Sequence, residues 1–184
     1  GKGANLAEMG RLGMPVPPGF TISTKVCDLF FKNNKKLPTK VLKNIQIELK
    51  DIEKLTGKKF GNLNNPLLVS VRSGARISMP GMMDTILNLG LNDQTVKALA
   101  KKTLNGRFAK DSYRRFIQMY SNVVLNIEGH LFESMIDNQK LTSGVLLDTD
   151  LNESDWDELI LRFKDLVKKK TKKNFSQNIE EQLY

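Results

Sequence analysis

The segment from Leu67 to Thr85 constrains the fold of this chain, and its chemistry, more than any other stretch of the sequence. It begins with the apolar, β-branched run LLVSV, which is typical of a buried strand. Arg72 follows the predicted strand and leads into a loop that carries Gly74, Arg76 and Gly81. Guanidinium groups offer phosphate a planar fork of donors, and glycines let backbone N–H groups approach closely. The segment therefore suits an oxyanion, although an arginine at a strand end is equally often a surface ion pair.

The amino terminus offers a second candidate for anion binding. Lys2 stands between two glycines and directly precedes an apolar periodic segment, which predicts a helix over residues 3–12. The N-terminal amides of a helix and its dipole favour anions, and Lys2 would add an ammonium group. A solvated lysine in a turn is the alternative. No G-x-x-x-x-G-K-[ST] sequence occurs, so this is not a Walker A loop.

The composition excludes several classes of protein. The 184 residues suffice for one domain or two small ones. With one cysteine (Cys27) and one histidine (His130), an internal disulfide is impossible and a structural zinc site is implausible, so we expect both residues to pack. No apolar run is long enough to span a bilayer, and no secretory signal pattern is present. Because the first residue is not methionine and lies in a functional-looking turn, we expect a fragment of a longer protein.

The chain is basic, with a formal net charge of +9. Its densest basic run extends from Lys164 to Lys173 and contains six lysines but few arginines or aromatic residues. This composition favours the solvated face of a helix over a nucleic-acid-binding patch.

The sequence predicts α/β structure in the first half of the chain and helices in the second half. Beyond the first helix, we predict helices at 24–31 (capped by Thr24), after Pro38, at 93–104, 111–127 and 130–140, and after Asn152. The helices after Pro38, at 111–127 and after Asn152 each carry apolar residues at helical spacing along one face, which should be buried. Strands are predicted at 20–23 and 67–71, and a strand or an apolar extension at 86–91. Asn152 and Asp155 have capping-box spacing. Asp148 and Asp150 could form a metal pair, but capping is the commoner role. Met9 and Met119 are expected in the core.

Four segments together resemble the nucleotide-binding domain of the pyruvate phosphate dikinase family. They are residues 1–9 (GKGANLAEM), 15–24, 65–90 (which contain SVRSGARISMPGMMDTILNLG) and 111–124 (DSYRRFIQMYSNVV). Phosphoenolpyruvate synthases share a looser version of the pattern. The chain departs from the family's pattern at Leu104 and Lys110, where glycine and tyrosine are expected, and at NFSQN (174–178) in place of FPQDP.

The resemblance implies a partial ATP-grasp fold of the α+β or α/β class. Residues 1–106 would form its first α/β subdomain, with a first strand preceding Gly1, and residues 107–184 a helical subdomain. The family converts ATP, phosphate and pyruvate into AMP, pyrophosphate and phosphoenolpyruvate. Its nucleotide-binding domain passes the ATP β-phosphoryl group to a histidine in another domain of the same chain, so His130 is not the carrier.

The resemblance also implies roles for single residues. Lys2 and Arg72 would contact the phosphates and act in catalysis, Arg76 would be a secondary contact, and Arg115 would dock the histidine-bearing domain. A loop would close over the nucleotide; it consists of Gly81, Met82, Met83, Asp84 and Thr85. The Mg²⁺ ligands would lie outside this chain, which alone would not turn over ATP.

For the full-length enzyme the resemblance implies a homodimer in the cytoplasm, with a plastid or another organelle as alternative locations, and no nucleic-acid or membrane partner. Two other functions remain open. One is a phosphoenolpyruvate synthase-type dikinase, in which water replaces phosphate as the acceptor. The other is a non-catalytic basic module that binds nucleic acid.

Overall fold

The computed structural model describes residues 1–74 and 85–184, which form a helix-rich α+β structure. The described chain divides into two compact units, Gly1–Lys58 and residues 59–73 with 85–184. The predicted boundary between residues 106 and 107 concerns the subdomains of a larger fold and stays a prediction. None of the described helices combines the length and apolarity that a bilayer crossing requires.

The first unit contains three helices, α1 (Lys2–Arg11), α2 (Thr24–Lys32) and α3 (Thr39–Thr56). The predicted stripe of α3 turns inward, with Ile45 buried, and Gly57 ends the helix in the left-handed conformation. In contrast, α1 and α2 bury no residue. The expectation that Met9 lies in the core is wrong: 41% of its surface is exposed, on a helix that buries none of its residues.

The predicted strand at residues 20–23 is also absent from the described structure, where these residues have no regular secondary structure. A strand exists only where a neighbouring backbone completes its hydrogen bonds, and no described segment pairs with this one. Ser23, not Thr24, occupies the N-cap of α2, and its side chain makes no capping hydrogen bond.

The second unit contains two small sheets. Strands β1 (Lys59–Phe60) and β2 (Pro66–Leu67) pair in parallel, and strands β3 (Val69–Arg72) and β4 (Thr85–Leu89) pair antiparallel. The predicted strand at 67–71 is therefore split, and β3 is mostly exposed because β4 is its single described neighbour. The open assignment of residues 86–91 is resolved as a strand.

Five helices complete the second unit: α4 (Thr95–Thr103), α5 (Gly106–Val123), α6 (Gly129–Ser143), α7 (Glu153–Thr171) and α8 (Ile179–Leu183). Helix α5 packs against α4, α7 and β4, and its predicted apolar stripe is buried at Phe116 and Ile117. The predicted buried face of α7 is confirmed, with Trp156 and Phe163 fully enclosed. Met119 on α5 is half-buried.

The capping box that opens α7 is confirmed. The side chain of Asn152 accepts hydrogen bonds from the backbone N–H groups of Ser154 and Asp155, and the Asp155 carboxylate accepts one from the Asn152 N–H at 2.9 Å. These bonds satisfy donors at the helix end that the helix itself leaves unpaired.

Candidate functional site

Lys2 is the first residue of α1, which begins one residue before the predicted start, and it is exposed. The first turn of α1 carries no acidic residue, and Gly1 at the N-cap provides no side-chain hydrogen bond. The N-cap residue therefore contributes no side-chain cap to this turn, which carries a lysine. Such an end of a helix attracts anions through its N–H groups and its dipole.

Thr21 packs against this same turn, a contact that the sequence analysis missed. A Cβ atom added to Gly3 would lie 2.5 Å from Oγ1 and 2.6 Å from Cγ2 of Thr21. The glycine after Lys2 therefore allows the threonine to approach the helix. The signal for this contact in the sequence was the G-K-G pattern itself, because two glycines around a lysine indicate a close backbone approach.

Arg72 and Thr85 are brought together by the pairing of β3 with β4. They are Cα partners in the antiparallel register, and Arg72 is exposed at the end of its strand. The segment that connects them begins and ends at this pair. The predicted site residues Arg76 and 81–84 belong to that segment and lie outside the described residues.

Lys2 and Arg72 lie in different compact units. Their convergence on one polyphosphate, on which the sequence-based function depends, therefore stays a prediction.

A shallow cavity of about 380 Å³ adjoins Thr85. Its wall is formed by Thr85 from β4, by residues of α5 that include Gln118 and Asn122, and by Gly129 and Glu133 from α6. Cavities of this size accommodate small molecules.

Arg114 and Arg115 are neighbours on α5, but they occupy different environments. The side chain of Arg114 is 7% exposed, and its guanidinium carbon lies 4.4 Å from the ring centre of Trp156. The side chain of Arg115 is 55% exposed. The carboxylate of Asp111 joins both: Oδ1 binds Nη2 of Arg114 at 2.5 Å, and Oδ2 binds Nε of Arg115 at 3.1 Å.

Burial lowers the pKa of Arg114 below its usual value, and the charge and hydrogen bond of Asp111 oppose that shift. An arginine keeps its charge even when the shift is downward, because its usual pKa is so high. The buried guanidinium is therefore a lasting counter-charge for Asp111.

The turn Asp148–Asp150 is fixed to the helices by further cations. Arg107 donates to the carbonyl oxygens of Leu151 and Asp148, while the Asp148 carboxylate binds Lys140 at 3.2 Å and lies 3.8 Å from Arg114. The Asp150 carboxylate accepts the N–H of Leu147, so it caps the turn. Within residues 1–74 and 85–184, no three His, Cys, Asp or Glu side chains are grouped so that they could hold a metal ion.

The remaining sequence-predicted features lie at the surface. Cys27 and His130 are both exposed, on α2 and α6. The lysines at 168–170, 172 and 173 are exposed at the carboxyl end of α7 and just after it, as expected for a solvated helix face, whereas Lys164 is half-buried and pairs with Asp93.

This chain is similar to one family profile and to several curated proteins. Residues 1–59 match the family profile described as "Pyruvate phosphate dikinase, AMP/ATP-binding domain". The chain is 55% identical over 168 residues to the pyruvate, phosphate dikinase of Clostridium symbiosum, which covers 91% of this chain and 19% of that protein. It is 48% identical over all 184 residues to the enzyme of Rhizobium meliloti (strain 1021), and 48% identical over 183 residues to the chloroplastic enzyme of Flaveria pringlei.

These matches cover 20% and 19% of the two relatives, respectively, and all of this chain. The chain thus spans about one fifth of the length of the curated relatives it matches, and its similarity to them extends from the Lys2 turn through the α7 lysines. By its sequence, the chain belongs to the pyruvate phosphate dikinase family.

Proposed function

We propose that this chain is the ATP-binding part of a pyruvate phosphate dikinase. The observation that carries the proposal is the match of residues 1–59 to the family's AMP/ATP-binding domain, because that stretch contains Lys2 and the uncapped first turn of α1. The exposed end of β3, with Arg72, provides a second cation of the kind that a triphosphate requires.

The proposed reaction converts ATP, phosphate and pyruvate into AMP, pyrophosphate and phosphoenolpyruvate. In the part that involves this chain, the β-phosphoryl group of ATP passes to a histidine of another domain, AMP leaves, and the γ-phosphoryl group passes to inorganic phosphate. Phosphoryl transfer depends mainly on the positioning of the groups and on the stabilisation of charge.

Lys2 would hold phosphate oxygens together with the N–H groups of α1, and Arg72 would contact the transferring phosphates. Thr85 and residues 81–84 would belong to the loop that closes over the nucleotide, with Arg76 as a further contact. We propose an ATP-grasp arrangement for the complete domain and a homodimer for the complete enzyme. As the family resemblance implies, magnesium would be bound by ligands from the rest of the longer protein.

The test is to separate the two half-reactions in the longer protein. Lys2→Ala and Arg72→Ala should each lower the ATP half-reaction by roughly 100-fold or more, while the exchange between pyruvate and phosphoenolpyruvate is unchanged. Arg11→Ala is a control, because Arg11 is an exposed arginine whose ion pair is with Glu8. An equal fall in both half-reactions would contradict these roles.

The acceptor of the γ-phosphoryl group is tested separately. If the protein is a pyruvate phosphate dikinase, removal of inorganic phosphate should stop the ATP half-reaction from forming pyrophosphate. Turnover that continues without added phosphate, with release of phosphate from ATP, would instead indicate the synthase-type reaction.

A further inference from the structure

A second cavity, of about 360 Å³, lies between helix α4 and the loop that connects β1 to β2. We call it the basic cleft, and its wall consists of Leu63, Asn64, Asn65, Ala98, Lys101 and Lys102. All of these residues belong to the second unit. None of them is among the residues that the proposed function assigns to ATP.

The basic cleft carries positive charge that no described acidic residue balances. Helix α4 contains three lysines, Lys97, Lys101 and Lys102, and no aspartate or glutamate. The loop between β1 and β2 (residues 61–65) also contains no acidic residue. Among the described residues, no carboxylate lies within 4.0 Å of any of these lysines. Since Lys97 and Lys101 are one helical turn apart, they also repel each other, and a bound anion would relieve that repulsion.

The loop that forms the wall opposite α4 is fixed by its own hydrogen bonds. The side-chain oxygen of Asn62 accepts hydrogen bonds from the backbone N–H groups of Asn64 and Asn65, both at 2.8 Å. The backbone N–H of Lys59 donates to the carbonyl oxygen of Asn65 at 3.1 Å, which closes the loop at its base. A wall that is ordered before binding loses less entropy when a ligand arrives.

The loop also holds one of the two lysines of the cleft. Nζ of Lys102 donates a hydrogen bond to Oδ1 of Asn65 across the cleft. Because an ammonium group has three N–H donors, this bond orients Lys102 and leaves two donors for a ligand. Lys101, the next residue of α4, lines the same cleft and is exposed.

The position of these lysines at a helix end has a second consequence, which a matched helix separates from ligand binding. Lys101 and Lys102 lie in the last turn of α4, where cations oppose the partial negative charge of the carboxyl end. Helix α7 also ends with lysines in its last turn, and none of them lines either cavity; they are Lys168, Lys169 and Lys170. The two helix ends therefore share the interaction with the helix dipole, and the cleft at α4 distinguishes them.

We propose that the basic cleft binds a small anion that carries two or more phosphate or carboxylate groups. Lys101 and Lys102 would bind its oxygens as adjacent point charges, and the side-chain amide of Asn64 would donate a further hydrogen bond. Two neighbouring ammonium groups match an anion with more than one charged group, and the volume of the cleft is that of a small-molecule site.

The experiment measures how fast an acylating reagent modifies each lysine of the longer protein, with mass spectrometry to assign the sites. An anion bound to an ammonium group slows this reaction, because it favours the charged, unreactive form of the amine and covers it. Pyrophosphate and citrate, which represent phosphate and carboxylate ligands, are each compared with sodium chloride at equal ionic strength. At a concentration of about 5 mM, one or both should slow the modification of Lys101 and Lys102 by at least about threefold. The α7 lysines at 168–170 should change by less than about 1.5-fold, because ionic strength is constant.

Three variants test whether the cleft itself holds the anion, and all change exposed lysines, so the variants should fold. Lys101→Gln should raise the probe concentration that half-protects Lys102 by at least about fivefold, because the anion loses one of its two charged partners. Lys101→Arg should keep that concentration within about twofold of the wild type, since arginine retains the charge. Lys169→Gln is the matched control, because it removes the same charge from the end of α7 and should leave the protection of Lys102 unchanged.

The two probes identify the source of the anionic groups. Protection by pyrophosphate alone would indicate a phosphate ligand, protection by citrate alone a polycarboxylate, and protection by both a site that selects for charge; each result supports the proposal. Protection by neither probe, equal protection of the α7 lysines, or an unchanged half-protecting concentration in Lys101→Gln would overturn it. Failure of the wild-type protein to bind an ATP analogue would instead overturn the proposed function and would leave the assignment of the basic cleft intact.

Discussion

At the scale of single residues, Gly3 is the position where the candidate phosphate site tolerates least change. Gly3→Ala would place a Cβ atom 2.5 Å from Oγ1 of Thr21, closer than real contacts allow. We expect this overpacking to lower the free energy of unfolding by about 1–3 kcal/mol, as measured by urea denaturation. The double variant with Thr21→Ala should recover most of the loss, because it removes both of the closest atoms.

Gly10→Ala is the matched control for Gly3, because both glycines lie in α1 and a Cβ at Gly10 would meet no atom within 4 Å. Alanine is a better helix former than glycine by about 1 kcal/mol, so this variant should be more stable than the wild type. Destabilisation of similar size at both positions would contradict the role given to the Thr21 contact.

Asp155 gives a prediction about pH. Although burial alone would raise the pKa of Asp155, hydrogen bonds from Ser143, the Asn152 N–H and Gln139 lower it below the ordinary value of 3.8. A carboxyl group with a lowered pKa in the folded state stabilises the protein above its unfolded pKa. That stability is lost as the pH falls through the folded value.

We therefore expect Asp155→Asn to lower the free energy of unfolding by about 1–2 kcal/mol at pH 7, because the capping bonds lose their charged acceptor. The difference from the wild type should shrink as the pH falls below about 4. Asp165→Asn, an exposed site on the same helix, should stay within about 0.5 kcal/mol of the wild type. A difference at Asp155 that does not change between pH 7 and pH 3 would rule out this explanation.

At the scale of elements, the carboxyl ends of the helices show one departure from the residue type that is favoured there, which is glycine. Gly57 and Gly144 end α3 and α6 in the left-handed conformation, whereas Leu104 ends α4 with a φ of 52°. A leucine is strained in this conformation by about 1–2 kcal/mol relative to glycine. Leu104 is also 93% exposed, so its side chain gains little from packing.

Leu104→Gly should therefore raise the free energy of unfolding by about 0.5–1 kcal/mol. The substitution relieves the backbone strain, and the greater conformational entropy of glycine in the unfolded chain offsets part of that gain. The same substitution at Leu161, an exposed position inside α7, should lower it by about 1 kcal/mol. Urea denaturation of both variants compares these effects, and destabilisation by Leu104→Gly would show that the left-handed leucine is not strained.

Helices α4 to α7 and the Asn152 cap could be predicted from the sequence because their signals are local, whereas the short helix α8 was missed. The stripe on α5 and the Asn152 capping box depend on residues within a few positions of each other. The exposure of Met9 could not be predicted, because it depends on what covers α1. The parallel pairing of β1 with β2 was missed because two-residue strands have no periodic pattern.

The candidate site also contains some features that local sequence signals predict and others that depend on tertiary structure. The placement of Lys2 at a helix start follows from its neighbours in the chain, and the structure confirms it. The pairing of Asp111 with Arg114 and Arg115 was overlooked, although carboxylates and arginines three and four residues apart on a helix are a recognisable signal. The proposed convergence of Lys2 and Arg72 would be a property of tertiary structure, which no local pattern encodes.

At the scale of the whole molecule, apolar burial is distributed unevenly between the two units. The connected core consists of residues of the second unit, whereas Ile45 is the one buried apolar residue among the described residues of the first. Large apolar side chains of the first unit are exposed, including Leu12, Ile22 and Phe31. Since burial of apolar surface is the main source of stability, the first unit should open more readily than the second.

Hydrogen exchange measured by mass spectrometry on residues 1–184 tests this difference. We expect slow exchange in α5 and α7, which are enclosed by the core, and exchange at least 100-fold faster in α1 and α2, which bury no residue. In the longer protein, an ATP analogue should slow exchange at the first turn of α1, because a ligand that binds the folded state suppresses its opening. In a Lys2→Ala variant, the analogue should slow exchange at this turn less than it does in the wild type. Equal protection of α1 and α5 without ligand would show that exposure of these apolar side chains does not govern local stability.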